Sequence, residues 1–267
     1  MHEPDWIQPR RIDSIDDCYF YHTMDIPNHG VVQGEWDLRG RETLYLGNVS
    51  VVGKRVLEIG TASGHLCFAM EKMGATVVAY DLSPDQDWDI VPYFGLDYEQ
   101  HIQERKERIH KLNNGFWFAH GANGSRARVR YGTVYDIPGN MGPFDICTLG
   151  SILLHLRDPF LALQRVTANV RESVIVTDLL PVRRGKALDR FKKLIGFQQK
   201  PEAHSIYFLP NADRCAPNET WWSLSPGVIA EFLQILGFNR ITVTYHQQSM
   251  QGQKYQMYTV VGRRGML

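Results

Sequence analysis

Short apolar runs alternate with amphipathic segments through the middle of the chain. Five of these runs predict strands: RVLEIG (55–60), TVVAYDL (76–82), RVRYGTVYDI (128–137), FDICTLGS (144–151) and ESVIVTDLL (172–180). Helical patterns stand between them, from about Gly64 to Lys72 and over residues 158–171. Strands that alternate with helices in this way indicate a mostly parallel sheet covered on both faces.

The end of the chain predicts a different arrangement. SPGVIAEFLQILGF (225–238) predicts a helix with Ser225 as its N-cap, Pro226 in its first turn and Gly237 at its end. ITVTYHQ (241–247) and YQMYTVVGRR (255–264) then predict two strands joined by the turn-like SMQGQ. We therefore predict an α/β protein with a Rossmann-like, doubly wound, mostly parallel sheet and an antiparallel C-terminal edge strand.

Two long stretches do not fit the alternation. Residues 1–50 precede the first strand and are rich in aromatic side chains, and residues 181–224 are first basic (PVRRGKALDRFKK) and then aromatic (IYFLP, ETWWSL). Long segments of this kind in α/β domains are usually lids or binding loops. We predict an N-terminal cap over 1–50 and a catalytic domain over 51–267, with a lid inserted at 181–224.

Composition restricts the class of partner. The chain has 267 residues, 43% of them hydrophobic, which is enough for a sizeable core. Lys+Arg and Asp+Glu both number 29, whereas nucleic-acid-binding proteins usually carry a basic excess. We therefore expect a small-molecule substrate and no nucleic-acid partner. A basic cluster at Arg183, Arg184 and Lys186 keeps an acidic substrate among the options.

Cysteine spacing and hydropathy restrict the metal sites and the cellular location that we expect. The four cysteines are far apart and form no CxxC pair, so we expect no zinc site and no other metal. The N-terminus shows no apolar signal segment, and no apolar run approaches membrane-spanning length. We expect a cytoplasmic protein without a membrane partner, and a homodimer is the one oligomer that we consider.

The segment VLEIGTASGHLCFAM (56–70) has the order strand, acid, small turn residues and helix. A dinucleotide fingerprint would need G-x-G-x-x-G, but Ala62 stands at the second glycine position and His65 at the third. Glu58 directly before the turn would repel a pyrophosphate and suits a cationic cofactor. The glycine spacing therefore disfavours a nicotinamide-dependent dehydrogenase.

S-adenosylmethionine (SAM) is a cofactor of that kind, with a sulfonium, an ammonium group and no phosphate. The small residues of the turn would let the backbone approach its methionine part; they are Gly60, Thr61, Ala62 and Gly64. Asp81, followed by Leu82 at the end of the second strand, can accept hydrogen bonds from both ribose hydroxyls. These residues predict a SAM site.

Four motifs in order resemble those of the class I SAM-dependent methyltransferases. VLEIGTASG is similar to their first motif and VVAYD to their second. The acid Asp136, after Tyr135, matches the position that usually reaches the adenine amine. FDICTLGSILLHLRDP is similar to the fourth-strand motif that lines the transfer site, with Gly150 and Ser151 where the cofactor passes. The resemblance covers roughly residues 50–180 with the late helix and strand pair, and it implies a SAM-dependent methyltransferase.

A closer resemblance involves the wobble-uridine tRNA carboxymethyltransferases and their relatives. GEWDLRGR before GKRVLEIG, and the later ILLHLRDP, look like their sequences. Those enzymes use carboxy-SAM and place a Trp–basic cluster and a Tyr around its extra carboxylate. Trp36, Arg39 and Arg41 echo the cluster, but Leu154 stands at the Tyr position. With zero net charge as well, we favour SAM and a small substrate, and modification of wobble uridine in tRNA is the alternative.

Five residues are candidates for contact with the acceptor. His155 is a candidate general base, although it could equally hydrogen-bond a backbone group and brace the start of a helix. Trp221 and Trp222 are adjacent, so one is expected to pack inward and the other to face a ligand. His204 and Tyr21 are the remaining candidates. We predict an O- or N-methyltransferase for a small aromatic or acidic metabolite of specialised metabolism, with a non-catalytic domain of the same fold as a further alternative.

Overall fold

The computed structural model describes residues 5–181 and 204–265. Half of the predicted lid, including Arg183, Arg184 and Lys186, therefore lies outside the described residues. The strands are β1 (Met24–Ile26), β2 (Gly30–Val32), β3 (Trp36–Asp37), β4 (Arg55–Ile59), β5 (Thr76–Asp81), β6 (Arg128–Tyr131), β7 (Phe144–Gly150), β8 (Val170–Leu179), β9 (Ile206–Phe208), β10 (Trp222–Leu224), β11 (Arg240–Met250) and β12 (Gln253–Arg263). The helices are α1 (Glu42–Tyr45), α2 (His65–Lys72), α3 (Tyr98–Asn123), α4 (Pro159–Thr167) and α5 (Pro226–Ile235).

Eight of these strands form one sheet in the order β3-β11-β12-β8-β7-β4-β5-β6. The five strands β4 to β8 pair in parallel, and β12 runs antiparallel to both of its neighbours. The predicted Rossmann-like, mostly parallel sheet is confirmed, and so is a late antiparallel strand.

The antiparallel strand does not form the edge of the sheet. β12 lies between β8 and β11, and the short β3 continues the sheet beyond β11. The reason is visible in the burial of the two late strands, since β12 has six consecutive buried residues whereas β11 has only two buried positions. A strand that is apolar on both faces is stabilised most when it is covered on both faces and paired on both edges.

The local signals of the late helix are confirmed. The Ser225 side chain accepts a hydrogen bond from the Val228 N–H, and Pro226 is in the first turn of α5. This hydrogen bond satisfies one of the free N–H groups at the start of the helix.

The long helix α3 was not predicted. It has 26 residues, and Asp97 caps it by accepting a hydrogen bond from the Gln100 N–H. Its first half carries charged side chains without an apolar stripe, and its second half buries Phe116 and Trp117.

None of the described helices is both long and apolar enough to cross a membrane.

The described part of the N-terminal segment packs into the main core. Phe20, Met24, Leu38 and Tyr45 are buried in the same apolar cluster as alternate residues of the central strands, among them Val56. The other residues of those strands belong to a second apolar cluster. Alternation along a strand places successive side chains on opposite faces, so the sheet is covered on both sides.

Candidate functional site

A cavity of about 500 Å³ opens at the carboxyl ends of the parallel strands. Gly60 after β4, Asp81 at the end of β5 and Gly150 at the end of β7 line it. This is the edge at which open α/β sheets bind ligands. The N-terminal segment and α3 supply further walls of the cavity.

The turn after β4 has the tight backbone that its small residues predicted. Gly60 adopts φ +74° and Gly64 φ +89°, and a Cβ on Gly60 would overlap the Ile152 side chain. The Ala62 N–H points to β5 and donates to Asp81 Oδ2 at 2.7 Å. The turn therefore keeps its backbone open to the cavity and is fastened to the next strand.

Asp81 is held by two backbone donors. Its Oδ2 accepts from Ala62, and its Oδ1 accepts from the Leu82 N–H at 2.7 Å. Burial raises the pKa of this carboxyl group. A carboxylate has about four acceptor positions, so two N–H bonds leave acceptor capacity toward the cavity.

Glu58 lies beneath the turn and is buried. The Thr61 hydroxyl donates to Glu58 Oε2 at 2.7 Å. Burial, together with the charge of nearby Asp81, raises the pKa of Glu58 to about 8. The group is therefore mostly protonated at neutral pH, and a cation placed beside it would favour its ionised form.

Most of the predicted cofactor residues come together at this edge. Those that line the cavity are Trp36, Glu58, Gly60, Ala62, Asp81, Leu82, Tyr135, Gly150 and Ser151. Thr61 and Gly64 belong to the same turn without lining the cavity. Among the described residues, no group of three or more His, Cys, Asp and Glu side chains could hold a metal ion.

Two predicted cofactor residues are not brought to the site. Asp136 is exposed and does not line the cavity. Arg39 donates to Asp37 at 2.9 Å and to Asp25 at 3.2 Å, so neighbouring acids hold its guanidinium away from the cavity. The Trp–basic cluster implied by the carboxymethyltransferase resemblance is therefore not assembled around Trp36.

His155 lines the cavity and has a fixed orientation. Its Nδ1 lies 2.6 Å from the Glu219 carbonyl oxygen, and burial lowers its pKa. A carbonyl oxygen only accepts, so we assign the proton to Nδ1 and leave Nε2 as the basic nitrogen of a neutral ring. The geometry thus fits both readings of this residue, an oriented base and a structural brace.

Three predicted substrate residues lie outside the cavity lining. Trp221 is buried and its Nε1 donates to the Asp89 carbonyl oxygen at 3.3 Å, while the Trp222 Nε1 donates to the Arg157 carbonyl oxygen at 3.2 Å. His204 is exposed. The Trp221 indole thus holds the β9–β10 hairpin against the loop between β5 and α3, and the Trp222 indole holds it against the loop before α4. Adjacency in sequence could not reveal these two contacts.

Tyr21 is the predicted substrate residue that does line the cavity. Burial raises the pKa of its hydroxyl, which also hydrogen-bonds the Trp36 side chain. Tyr45 stands nearby, and a Cβ on Gly150 would lie 2.7 Å from its hydroxyl oxygen. Tyr19 adds a further ring, so one wall of the cavity is aromatic.

Sequence reasoning missed an ion-pair network that joins the N-terminal segment to α3. The Tyr19 hydroxyl donates to Glu35, and Arg108 contacts that carboxylate and that hydroxyl at 2.8 Å each. Arg105, one turn earlier on α3, pairs with Glu219 at 2.8 Å. All of these residues line the cavity. No local motif marks them, since they lie on segments that meet only in the fold.

The sheet order and the turn at its carboxyl edge define an α/β protein of the methyltransferase class. A family model described as a methyltransferase domain matches residues 33–237. The chain therefore belongs to the methyltransferase domain family. No curated protein matches its sequence.

Solved methyltransferase structures show only a distant likeness. The magnesium protoporphyrin IX methyltransferase of Synechocystis PCC 6803, with bound S-adenosylhomocysteine (SAH), is 11% identical and covers 84% of this chain and 80% of its own, with a TM-score of 0.48. The 1,6-didemethyltoxoflavin-N1-methyltransferase of Burkholderia thailandensis is 14% identical over 86% and 78%, with a TM-score of 0.47. Human N-acetylserotonin methyltransferase in complex with SAM is 13% identical over 86% and 53%, with a TM-score of 0.48. These values are too low to transfer an activity or a substrate.

Proposed function

We propose that the protein transfers the methyl group of SAM to an oxygen or nitrogen atom of a small molecule. The observation that carries this proposal is the junction of Asp81 with the turn at Ala62, at the rim of a cavity of about 500 Å³. A cavity of this size suits a cofactor and a small acceptor. Membership of the methyltransferase domain family supports the reaction class.

The residues around the turn fit SAM better than a dinucleotide. Asp81 keeps acceptor capacity for ribose hydroxyls, and Glu58 lies beneath the turn on which the pyrophosphate of a dinucleotide would have to rest. A ligand with a cationic centre is favoured there, since it would stabilise the ionised form of Glu58. Gly60, Ala62 and Gly150 would hold the methionine part, and Leu82 and Tyr135 would flank the adenine.

SAM supplies a methyl group that is already activated by its sulfonium, so much of the catalysis is positioning. The aromatic wall at Tyr21, Trp36 and Tyr45 would exclude water from the acceptor. His155 would take the acceptor's proton at Nε2, because the Glu219 carbonyl already occupies Nδ1. A substrate in the cavity would thus lie between a donor site and a base.

A tRNA acceptor stays the alternative that the sequence resemblance suggests. The described structure adds nothing in its favour, because Arg39 is paired with acids and Arg41 donates to the Gln247 carbonyl oxygen at 2.9 Å. The cytoplasmic setting, the role in specialised metabolism and the homodimer stay predictions from the sequence.

A thermal-shift comparison of SAM, SAH, carboxy-SAM and NAD tests the proposal. A ligand at about 100 times its dissociation constant adds about 2.7 kcal/mol to the unfolding free energy, which raises the melting temperature by several degrees in a chain of this size. We expect shifts with SAM and SAH. A shift with carboxy-SAM alone would support the tRNA alternative, and a response to NAD alone or to none of the four contradicts the proposed function.

A further inference from the structure

The lining of the cavity carries more acids than bases. Apart from Glu58 and Asp81, the charged residues that line it are the acids Glu35, Asp87, Asp89 and Glu219 and the bases Arg105 and Arg108. The two arginines are already paired, Arg105 with Glu219 and Arg108 with Glu35, each at 2.8 Å. Within the described lining, the excess charge therefore belongs to Asp87 and Asp89.

These two carboxylates flank a tryptophan that also lines the cavity. Asp87 is exposed and forms no ion pair within residues 5–181 and 204–265. Asp89 accepts from the Tyr135 hydroxyl and from the Arg157 N–H, and the Arg157 Nε lies 3.8 Å away, which offsets part of its charge. The Nε1 of Trp88 is buried and has no partner in the described part of the chain.

Five aromatic side chains contribute to the same lining. Tyr19, Tyr21, Trp36 and Tyr45 line the cavity together with Trp88. Aromatic faces attract ammonium groups, with tryptophan the strongest of the side chains, and an excess of negative charge raises the local concentration of cations. The same excess opposes a carboxylate, so the described cavity does not suit the acidic metabolite that the sequence kept among the options.

We propose that the acceptor is a protonated amine carried on a small apolar or aromatic body, bound beside Asp87, Trp88 and Asp89. This inference rests on the proposed function. The ammonium gives one proton to His155 Nε2, and the lone pair thus freed on nitrogen forms the new N–C bond to the methyl carbon. The C–S bond breaks and its electron pair stays on sulfur. The positive charge passes from sulfur to nitrogen, so the acid-rich wall faces a cation before and after the transfer.

Three probes of one shape and different charge test the inference in the full-length protein saturated with SAH, where no turnover occurs. They are 2-phenylethylamine, 2-phenylethanol and 3-phenylpropionate, titrated by calorimetry at low ionic strength. We expect the amine to bind at least about tenfold more tightly than the carboxylate, with the alcohol between them. Equal affinities, tighter binding of the carboxylate or no binding of the amine overturns the inference.

A pair of variants tests the acidic segment itself. We expect Asp87→Asn to weaken amine binding about three- to tenfold and to leave the alcohol unchanged. The control is Asp85→Asn, on the same exposed loop but outside the cavity lining, which should change neither. Unchanged amine binding in Asp87→Asn overturns the assignment. If the wild type does not bind SAH, the proposed function is refuted. If it binds SAH normally but shows no preference for the amine, only this inference is refuted.

Discussion

The backbone N–H of Ala62 donates to Asp81 Oδ2 at 2.7 Å and so joins the turn after β4 to the end of β5. The two elements that a SAM molecule would have to touch at the same time are thus fixed to each other in advance. This hydrogen bond and the one from the Leu82 N–H orient the Asp81 carboxylate. Its remaining acceptor positions therefore have a fixed direction before a ligand binds. An oriented acceptor saves part of the ordering cost of binding.

Replacement of Asp81 by asparagine should remove SAH binding. Two hydrogen bonds to a charged acceptor are worth about 1.5–3 kcal/mol each, so we expect SAH affinity to fall at least about a hundredfold. Calorimetric titration with SAH measures the loss. Asp136→Asn is the matched control and should bind normally, because Asp136 is exposed outside the cavity lining. A loss below tenfold in Asp81→Asn would speak against the ribose role.

Two substitutions at His155 distinguish a general base from a residue with only a structural role. Asparagine can still donate to the Glu219 carbonyl oxygen, which lies 2.6 Å from Nδ1, whereas alanine cannot. If His155 takes the acceptor's proton, both variants should lose turnover by about a hundredfold or more while SAH affinity is unchanged. Steady-state rates with an amine that the wild type methylates provide the measurement. Full turnover in His155→Asn, with loss only in His155→Ala, would assign a structural role.

Glu58 should make the cofactor-free protein less stable as pH rises. Its folded pKa of about 8 is above the ordinary value of 4.5, because it is buried and near Asp81. Between these pH values the folded state holds a proton that the unfolded state has lost. The stabilising contribution is therefore complete below about pH 4.5 and is lost as pH rises to about 8, with a slope of at most about 1.4 kcal/mol per pH unit.

Urea unfolding from pH 5 to 8 measures this slope. The unfolding free energy of Glu58→Gln should depend less on pH than that of the wild type, since glutamine keeps the shape of the side chain and does not titrate. Asp178, whose pKa burial raises to about 7, titrates in both proteins and cancels from the difference. Glu99→Gln, an exposed change on α3, should keep the wild-type slope. Parallel curves for wild type and Glu58→Gln would show that Glu58 does not hold the proton.

A methyl group at Gly150 should destabilise the protein. It would lie 2.7 Å from the Tyr45 hydroxyl oxygen and 3.0 Å from Tyr45 Cε1, and the tyrosine ring is buried. Overpacking of this kind costs about 1–3 kcal/mol, which urea unfolding detects. Gly139→Ala is the control, because a Cβ there meets nothing within 4 Å. Equal stabilities of the two variants would mean that Tyr45 moves away without cost.

The parallel strands and the cofactor turn could be predicted because their signals are local. Apolar runs bounded by turn residues identify β4, β5 and β7, and Gly60 and Gly64 adopt the left-handed backbone that glycine favours. Asp81 follows from its place at the end of a strand. These features depend on residues that are close in sequence, so they can be predicted from the sequence directly.

The residues that were misplaced depend on tertiary context. The sequence suggests Arg39 as a ligand for an anion, but Asp25 and Asp37 are paired with it in the fold. It suggests Asp136 as an adenine acceptor, but the fold leaves this residue exposed outside the cavity lining. Helix α3 was missed because its first half is polar and Gly115 stands in its second half. That glycine has a packing reason, since a Cβ there would lie 2.5 Å from the Tyr19 carbonyl oxygen.

The aromatic wall comes from residues ahead of β4, whereas the donor turn and Asp81 come after it. If the cavity serves as proposed, one wall around the acceptor precedes the donor turn in the chain, while His155 and the segment from Asp87 to Asp89 follow it. Substitutions at Tyr19 or Tyr21 would then alter the acceptor's surroundings and leave the donor turn in place. Exchange of residues 1–50 between relatives would change this one wall of the cavity without changing the turn from Gly60 to Gly64.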